Sequence, residues 1–206
     1  MQGVFMCTPV SHRRQRAVRS LIMTGTSPPT ESTSGGATGP QAGIIVVLLL
    51  LGLMAGFFYA FSVCVMPGLD LTRSDIAIRA MQGINTAVRN PVFFVTFFLT
   101  PVFALATALF LYRTGRRRPA LWMVLAGVGY LVLCLFPTAA MNVPMNRALD
   151  LVDAGQLAAE RATTVWLDYA RAWTGWNHFR TAGAVLAMIP AALALRAVRQ
   201  TGPGVL

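Results

Sequence analysis

The stretch GIIVVLLLLGLMAGFFYAFSVCVM, residues 43–66, contains no charged side chain and decides the fold class. As an α-helix it would be about 36 Å long, which is enough to cross a hydrocarbon core of about 30 Å with some tilt. A chain in lipid must satisfy its own backbone hydrogen bonds, so the stretch is expected to be helical. The sequence therefore predicts a membrane protein.

Three further apolar stretches follow along the chain. Of all residues, 55% are apolar and 12% are charged, and the charges lie almost entirely between these stretches. No segment is polar and long enough for a separate soluble domain. We predict an all-α fold, a four-transmembrane-helix bundle over residues 42–199, with spans at about 43–66, 91–112, 119–141 and 177–198.

Both ends of the chain are expected to be tails. Residues 24–42 are mostly Gly, Ser, Thr and Pro and cannot bury a core, so residues 1–41 are predicted to be a disordered cytoplasmic tail. Residues 200–206 are predicted to be a short C-terminal tail, and Met23 is an alternative start of the chain.

The arginines indicate orientation. All 17 basic residues are Arg, and four of them, Arg113, Arg116, Arg117 and Arg118, lie in one short loop without an acid. Short Arg-rich loops are retained in the cytoplasm. We therefore expect a multi-pass plasma-membrane protein with both termini cytoplasmic and two long extracytoplasmic connections. Despite the net charge of +10, nucleic acid is not an expected partner, because the arginines are dispersed among caps and loops of an apolar chain.

The first long connection predicts an amphipathic helix over about residues 74–89, capped by Asp70 or Thr72. Gln82, Asn85 and Arg89 recur at helical spacing on one face. This face is typical of an interfacial helix with its polar residues in water, which is the interpretation we favour, or of a polar stripe that faces the mouth of a cavity.

The second long connection predicts another amphipathic helix, from about Gln156. Trp166, Tyr169, Trp173 and Trp176 follow at spacings of three, four and three and share one helical face. Such a face is typical of an interfacial aromatic belt. Asn177, His178 and Arg180 come next, at the entrance to the fourth span, with Asn142 at similar depth at the end of the third. On the pattern alone we favour the belt, but an amide at that depth seeks partners, which keeps a ligand site open as the alternative.

Metal and oligomer signals are weak. Cys7, Cys64 and Cys134 are widely spaced, and His178 is the one histidine outside the N-terminal tail, so neither a metal site nor a haem is expected. Small residues four apart, such as Gly52 and Gly56, indicate close helix packing. That packing is expected within one bundle, although a homodimer would use the same pattern.

Several stretches together resemble the anthrone-oxygenase-like family of small four-span membrane proteins. They are Leu53–Ser62 (LMAGFFYAFS), Val65–Leu69 (VMPGL), Met81–Asn85 (MQGIN), Asn90-Pro91, Asn142–Asn146 (NVPMN) and Trp173–Arg180 (WTGWNHFR). The resemblance covers about residues 43–198, in the family's order.

The resemblance implies a possible activity. Members named for their reaction convert the central CH₂ of an anthrone to a carbonyl, without an evident metal or flavin. For this chain it implies a cofactor-independent monooxygenase of a flat polycyclic phenol. His178 would be the base, as the only imidazole near the candidate slot. Asn142, Asn146 and Asn177 would donate to the oxyanion beside Arg180. Trp166, Trp173, Trp176, Gln82 and Asn85 would line the substrate slot.

A second class of function remains open at this stage. The same pocket could bind a membrane lipid or a quinone-like ligand without chemistry, or the chain could be a structural partner. An oxygenase requires a closed slot on which the amides converge, whereas the alternative allows them to cap loops and helix ends.

Overall fold

The computed structural model describes residues 39–200, and within this range it contains helices and turns but no strand. The helices are α1 (Gly39–Asp70), α2 (Ser74–Ala87), α3 (Pro91–Arg113), α4 (Arg117–Asp150) and α5 (Ala159–Gln200). Helices α1, α3, α4 and α5 are long and apolar enough to cross a membrane, so the predicted fold class is confirmed. Each predicted span lies within one of them. Most of the predicted N-terminal tail and nearly all of the C-terminal one lie outside the described residues.

The four long helices form a ring in which α1 packs against α3 and α5, and α4 closes the ring between them. Large side chains of α1 such as Leu51, Met54 and Phe58 fill its centre, against small residues of α3 and α5. The outward faces carry exposed Leu, Val and Phe side chains, as expected for contact with lipid. The described residues thus form one membrane bundle.

Small residues allow close approach at particular crossings. A Cβ atom at Gly183 would lie 2.5 Å from Cβ of Leu133, so α4 and α5 touch there. At Gly127 it would lie 3.2 Å from Cβ of Ala104. At Gly56 it would meet nothing within 4 Å, so this member of the α1 pattern makes no close contact in the bundle.

Local sequence signals explain where α3 begins and ends. Asn90 is its N-cap, since its side-chain oxygen accepts a hydrogen bond from the Phe93 amide at 3.0 Å, and Pro91 follows at the first helical position. At the other end Gly115 adopts a φ of 79°, and the Arg116 amide donates to the Leu111 carbonyl at 2.9 Å. This is a Schellman ending, and it produces the tight Arg-rich turn between α3 and α4.

Two local predictions need correction. The aromatic helix of the second connection is not separate from the fourth span, because Ala159–Gln200 is a single 42-residue helix that continues even past Pro190. Asp70 and Thr72 do not cap α2. Helix α1 continues to Asp70, whose carboxylate accepts a hydrogen bond from the Trp166 indole at 2.8 Å, and the Thr72 hydroxyl donates to the Leu69 carbonyl at 2.8 Å.

Three π-helical turns interrupt the long helices towards the end that carries α2. They lie at Phe61–Val65 in α1 and at Leu131–Leu135 and Thr138–Asn142 in α4. A π turn changes the phase of the residues that follow it and often occurs at functional sites. Phe61, Thr138 and Asn142, each at the edge of such a turn, face the cavity described next.

Candidate functional site

A cavity of about 660 Å³ lies between the ends of the long helices, beneath α2. The aromatic part of its wall comprises Phe57, Phe58, Phe61, Phe93, Phe94, Phe97, Phe98 and Trp173. The polar and charged part comprises Asn85, Thr138, Asn142, Asn146, Arg180, Arg89, Arg147 and Asp150, and the aliphatic part comprises Ile84, Val88, Val143 and Leu151. A mostly apolar space with a few converging polar groups is the usual form of a small-molecule site.

The aromatic wall is a continuous set of ring contacts. Phe93 and Phe97 stack with their planes 15° apart and their centroids at 5.3 Å. Phe57 joins Phe93 to Phe61, with centroids 5.1 Å and 4.9 Å away, and Phe61 in turn contacts Trp173 at 5.5 Å. Successive turns of α1 and α3 bring these rings to one side, which gives the cavity flat apolar surfaces.

Arg180 supplies a buried positive charge to this apolar wall. Its side chain is only 5% exposed, and its guanidinium carbon lies 4.6 Å from the ring centroid of Phe58 and 5.2 Å from that of Trp173. It donates to the Thr138 hydroxyl at 3.1 Å and to the Asn177 side-chain oxygen at 2.8 Å. No carboxylate of residues 39–200 lies within ion-pair distance, and Nε has no hydrogen-bond partner there.

The charge of Arg180 is thus held in place but not neutralised by the part of the chain that the structure describes. A buried cation without an acidic partner is costly in a medium of low dielectric constant, unless an anion accompanies it. The wall of the cavity is therefore electrostatically suited to an anionic oxygen.

Asn177 fixes the position of Arg180. Its amide nitrogen donates to the Phe58 carbonyl at 2.7 Å and to the Ser62 hydroxyl at 2.8 Å, while its oxygen accepts from Arg180. The residue is fully buried and does not line the cavity. Its amide is therefore used to join α5 to α1 and to orient the guanidinium, and it is not available to a ligand.

Asn142 and Asn146 lie on α4, one turn apart. The Asn142 nitrogen is 3.4 Å from the Trp173 carbonyl, and its buried oxygen has no hydrogen-bond partner within the described range. The Asn146 oxygen accepts from both the Tyr169 hydroxyl and the Trp173 indole, each at 2.9 Å. Asn146 thus holds the aromatic wall, and Asn142 lines the cavity while its oxygen stays buried and unpaired among the described residues.

Helix α2 covers the cavity with polar residues that were predicted to face water. Asn85 is only 3% exposed and lines the cavity, so that interpretation is wrong for it. Gln82 donates to the carbonyls of Leu149 and Val152, both at 2.8 Å, which fastens α2 to the end of α4. Beside the cavity, Arg89 and Asp150 form an ion pair of 2.7 Å with both side chains partly exposed.

Besides Asn177, four of the residues predicted for the site do not line the cavity. His178 is exposed and does not line the cavity, so this position does not support its expected role as base. Trp176 packs edge-on against Phe179, Trp166 binds Asp70, and Gln82 holds a loop. Asn85, Asn142, Asn146, Trp173 and Arg180 do converge on the cavity.

Sequence reasoning missed the phenylalanines and Thr138. The pairs Phe57-Phe58 and Phe93-Phe94 are plain in the sequence. Within an apolar span, however, the sequence does not distinguish a phenylalanine that lines a cavity from one that faces lipid. Among residues 39–200 no group of three His, Cys, Asp or Glu side chains could hold a metal ion.

One comparison with known proteins identifies relatives. The anthrone oxygenase family model matches residues 91–190, a range that includes α3, all of α4 and α5 as far as Pro190. The matched range therefore contains Asn142, Asn146, Trp173 and Arg180. Neither a curated protein nor a solved structure matches the chain. Over residues 91–190, this multi-pass membrane protein is similar to the anthrone oxygenase family.

Proposed function

We propose that the chain binds a flat polycyclic phenol as its oxyanion beside Arg180 and oxygenates it with O₂. The observation that carries this proposal is the buried, uncompensated guanidinium in a wall of aromatic rings. The rings offer stacking surfaces to a planar ligand, and the guanidinium offers a charge-assisted hydrogen bond to its oxygen. Plasma-membrane location with cytoplasmic termini is part of the same proposal and rests on the Arg-rich turn between α3 and α4.

The reaction follows from the chemistry of an anthrone. Loss of one proton from the central CH₂ gives an aromatic phenolate, and Arg180 stabilises its negative oxygen. This electron-rich anion reduces O₂ and forms a C–O bond at the same carbon, giving a peroxide that takes up a proton. The second C–H proton is then lost while the O–O bond breaks, so the carbon becomes a carbonyl and the outer oxygen leaves in water. One O₂ thus converts CH₂ to C=O and forms one water.

Proton removal is assigned to the mouth of the cavity. Among residues 39–200, Asp150 is the only carboxylate that lines the cavity, and it is paired with Arg89. Arg180 makes the bound phenol more acidic by favouring its anion, so a weak base or water at the mouth is sufficient. His178 has no part in this scheme.

The decisive experiment is O₂ uptake by the purified protein in nanodiscs with emodin anthrone. Arg180→Gln keeps hydrogen-bonding capacity but removes the charge, and we expect kcat/KM to fall about 100-fold, as for loss of one oxyanion donor. Arg171→Gln is the matched control, because Arg171 is an exposed arginine on the same helix. Equal rates for Arg180→Gln and the wild type would refute the assignment.

Ligand binding without turnover is the second candidate function. The paired state of Asp150 favours it, because the described residues then offer the cavity no free carboxylate to act as a base. The same protein preparation separates the two: saturable binding of emodin anthrone, with no protein-dependent O₂ uptake, would establish the binding function and remove the oxygenase.

A further inference from the structure

A second apolar space of about 560 Å³ lies beside the cavity, where α1, α2 and α3 meet. The two spaces have common walls, formed by Phe57, Phe61 and Phe93 together with two aliphatic residues of the α2 segment. Leu53, Ala87 and Val92 line only the second space, which we name the side groove. The groove and the cavity therefore adjoin at these five residues.

The side groove faces the region where lipid would be. Leu53 on α1 is 62% exposed and Val92 on α3 is 78% exposed, and both helices are candidate spans. Exposed apolar side chains on such helices contact hydrocarbon chains. A molecule dissolved in the bilayer could thus enter the groove without crossing water.

The polar atoms of the groove are already used within the protein. The Asn90 side chain donates to the Ala87 carbonyl at 2.9 Å and accepts from the Phe93 amide at 3.0 Å. The Thr96 hydroxyl donates to the Val92 carbonyl at 2.9 Å. The described residues of the groove consequently offer apolar contact but no unpaired side-chain group to a polar or charged ligand. Its occupant should be a hydrocarbon chain.

We propose that the side groove holds the hydrocarbon tail of the ligand whose aromatic head lies beside Arg180. This step rests on the proposed function for the head. A phospholipid is a poorer occupant, because its head group would need charged partners at the groove, whereas the uncompensated cation lies in the adjoining cavity. The ligand class is therefore a membrane-dissolved phenol with an alkyl or isoprenoid tail, which enters laterally between α1 and α3.

The test compares 2-naphthol with 6-dodecyl-2-naphthol, two phenols that differ only in the tail. Radiolabelled probes are titrated against the protein in nanodiscs, and binding to protein-free nanodiscs is subtracted. Val92→Trp fills the side groove from α3. We expect it to raise the Kd of the dodecyl probe at least tenfold and to leave the Kd of 2-naphthol within twofold.

Val95→Trp is the matched control, since Val95 lies on the same helix, is 54% exposed and does not line the groove. It should change neither Kd. If Val92→Trp leaves the dodecyl probe unaffected, or weakens both probes equally, the tail site is refuted. An absence of saturable 2-naphthol binding would instead count against the proposed head site. The comparison of Val92→Trp with Val95→Trp for the dodecyl probe would then still test the tail site in the side groove.

Discussion

The contact between Gly183 on α5 and Leu133 on α4 gives a sharp test of the bundle. A Cβ added at Gly183 would lie 2.5 Å from Cβ of Leu133 and 3.0 Å from its carbonyl oxygen. Ordinary contacts of this kind are about 3.5–4.0 Å, so Gly183→Ala must move the two helices apart by about an ångström. The same substitution removes a helical glycine, which alone would stabilise the fold by about 1 kcal/mol.

The cost of overpacking exceeds the gain in helix propensity. Inserting a methyl group into a close-packed contact costs about 1–3 kcal/mol, and here the nearest atoms belong to the backbone and to a Cβ, which cannot rotate away. We expect Gly183→Ala to be destabilised by about 1–2 kcal/mol in net terms. The effect should extend to the site, because Gly183 lies one turn from Arg180. The Arg180 carbonyl accepts a hydrogen bond from the Cys134 thiol of α4 at 3.4 Å, so moving α4 away from α5 disturbs this contact as well.

The assay is reversible unfolding in mixed micelles with increasing SDS, followed by tryptophan fluorescence. Gly175→Ala is the control, because it lies on the same helix and its Cβ would meet nothing within 4 Å. The control should gain up to about 1 kcal/mol from helix propensity. A Gly183→Ala protein as stable as Gly175→Ala would show that α4 and α5 do not approach as described.

Three further predictions follow from the site and the topology. His178→Ala should change O₂ uptake with emodin anthrone less than twofold, because the side chain is exposed away from the cavity; a 100-fold loss would restore it as the base. Asn177→Leu should lower stability by about 2–3 kcal/mol in the same SDS titration, because it removes three hydrogen bonds, one of them to a guanidinium, and an unchanged midpoint would contradict that network. A cysteine at Gly115 should react with a membrane-impermeant maleimide only after the cells are opened, as expected if the Arg-rich turn is cytoplasmic; labelling of intact cells would reverse the proposed orientation.

Part of the site could have been predicted better from the sequence. Trp166, Trp173, Asn177, Arg180 and Ala184 repeat at intervals of three, four or seven along α5, and all are buried. His178 and Trp176 each lie one residue from Asn177, and successive residues of a helix point about 100° apart, so they fall outside this face. The helical phase therefore separates His178 and Trp176 from the buried face, whereas their closeness to Asn177 in sequence suggests a common site.

The rest of the site could not be predicted in this way. Thr138 and Asn142 lie in a π turn, where the helical phase changes. No pattern of residues along α4 predicts that turn. The role of Gln82 depends on two backbone carbonyls more than sixty residues away along the chain. Such contacts exist only after the helices have packed.

The sequence by itself determined that the chain lies in lipid, that it crosses the bilayer as helices, and where its Arg-rich turn falls. These properties are local, because the cost of burying a charge or an unpaired backbone group in hydrocarbon depends on each segment alone. Only the tertiary structure decided that Arg180 has no carboxylate within reach among residues 39–200, and that a cavity and a lipid-facing groove meet beside it. Those features depend on how each helix is rotated against its neighbours, and that rotation is set by packing contacts between distant parts of the chain.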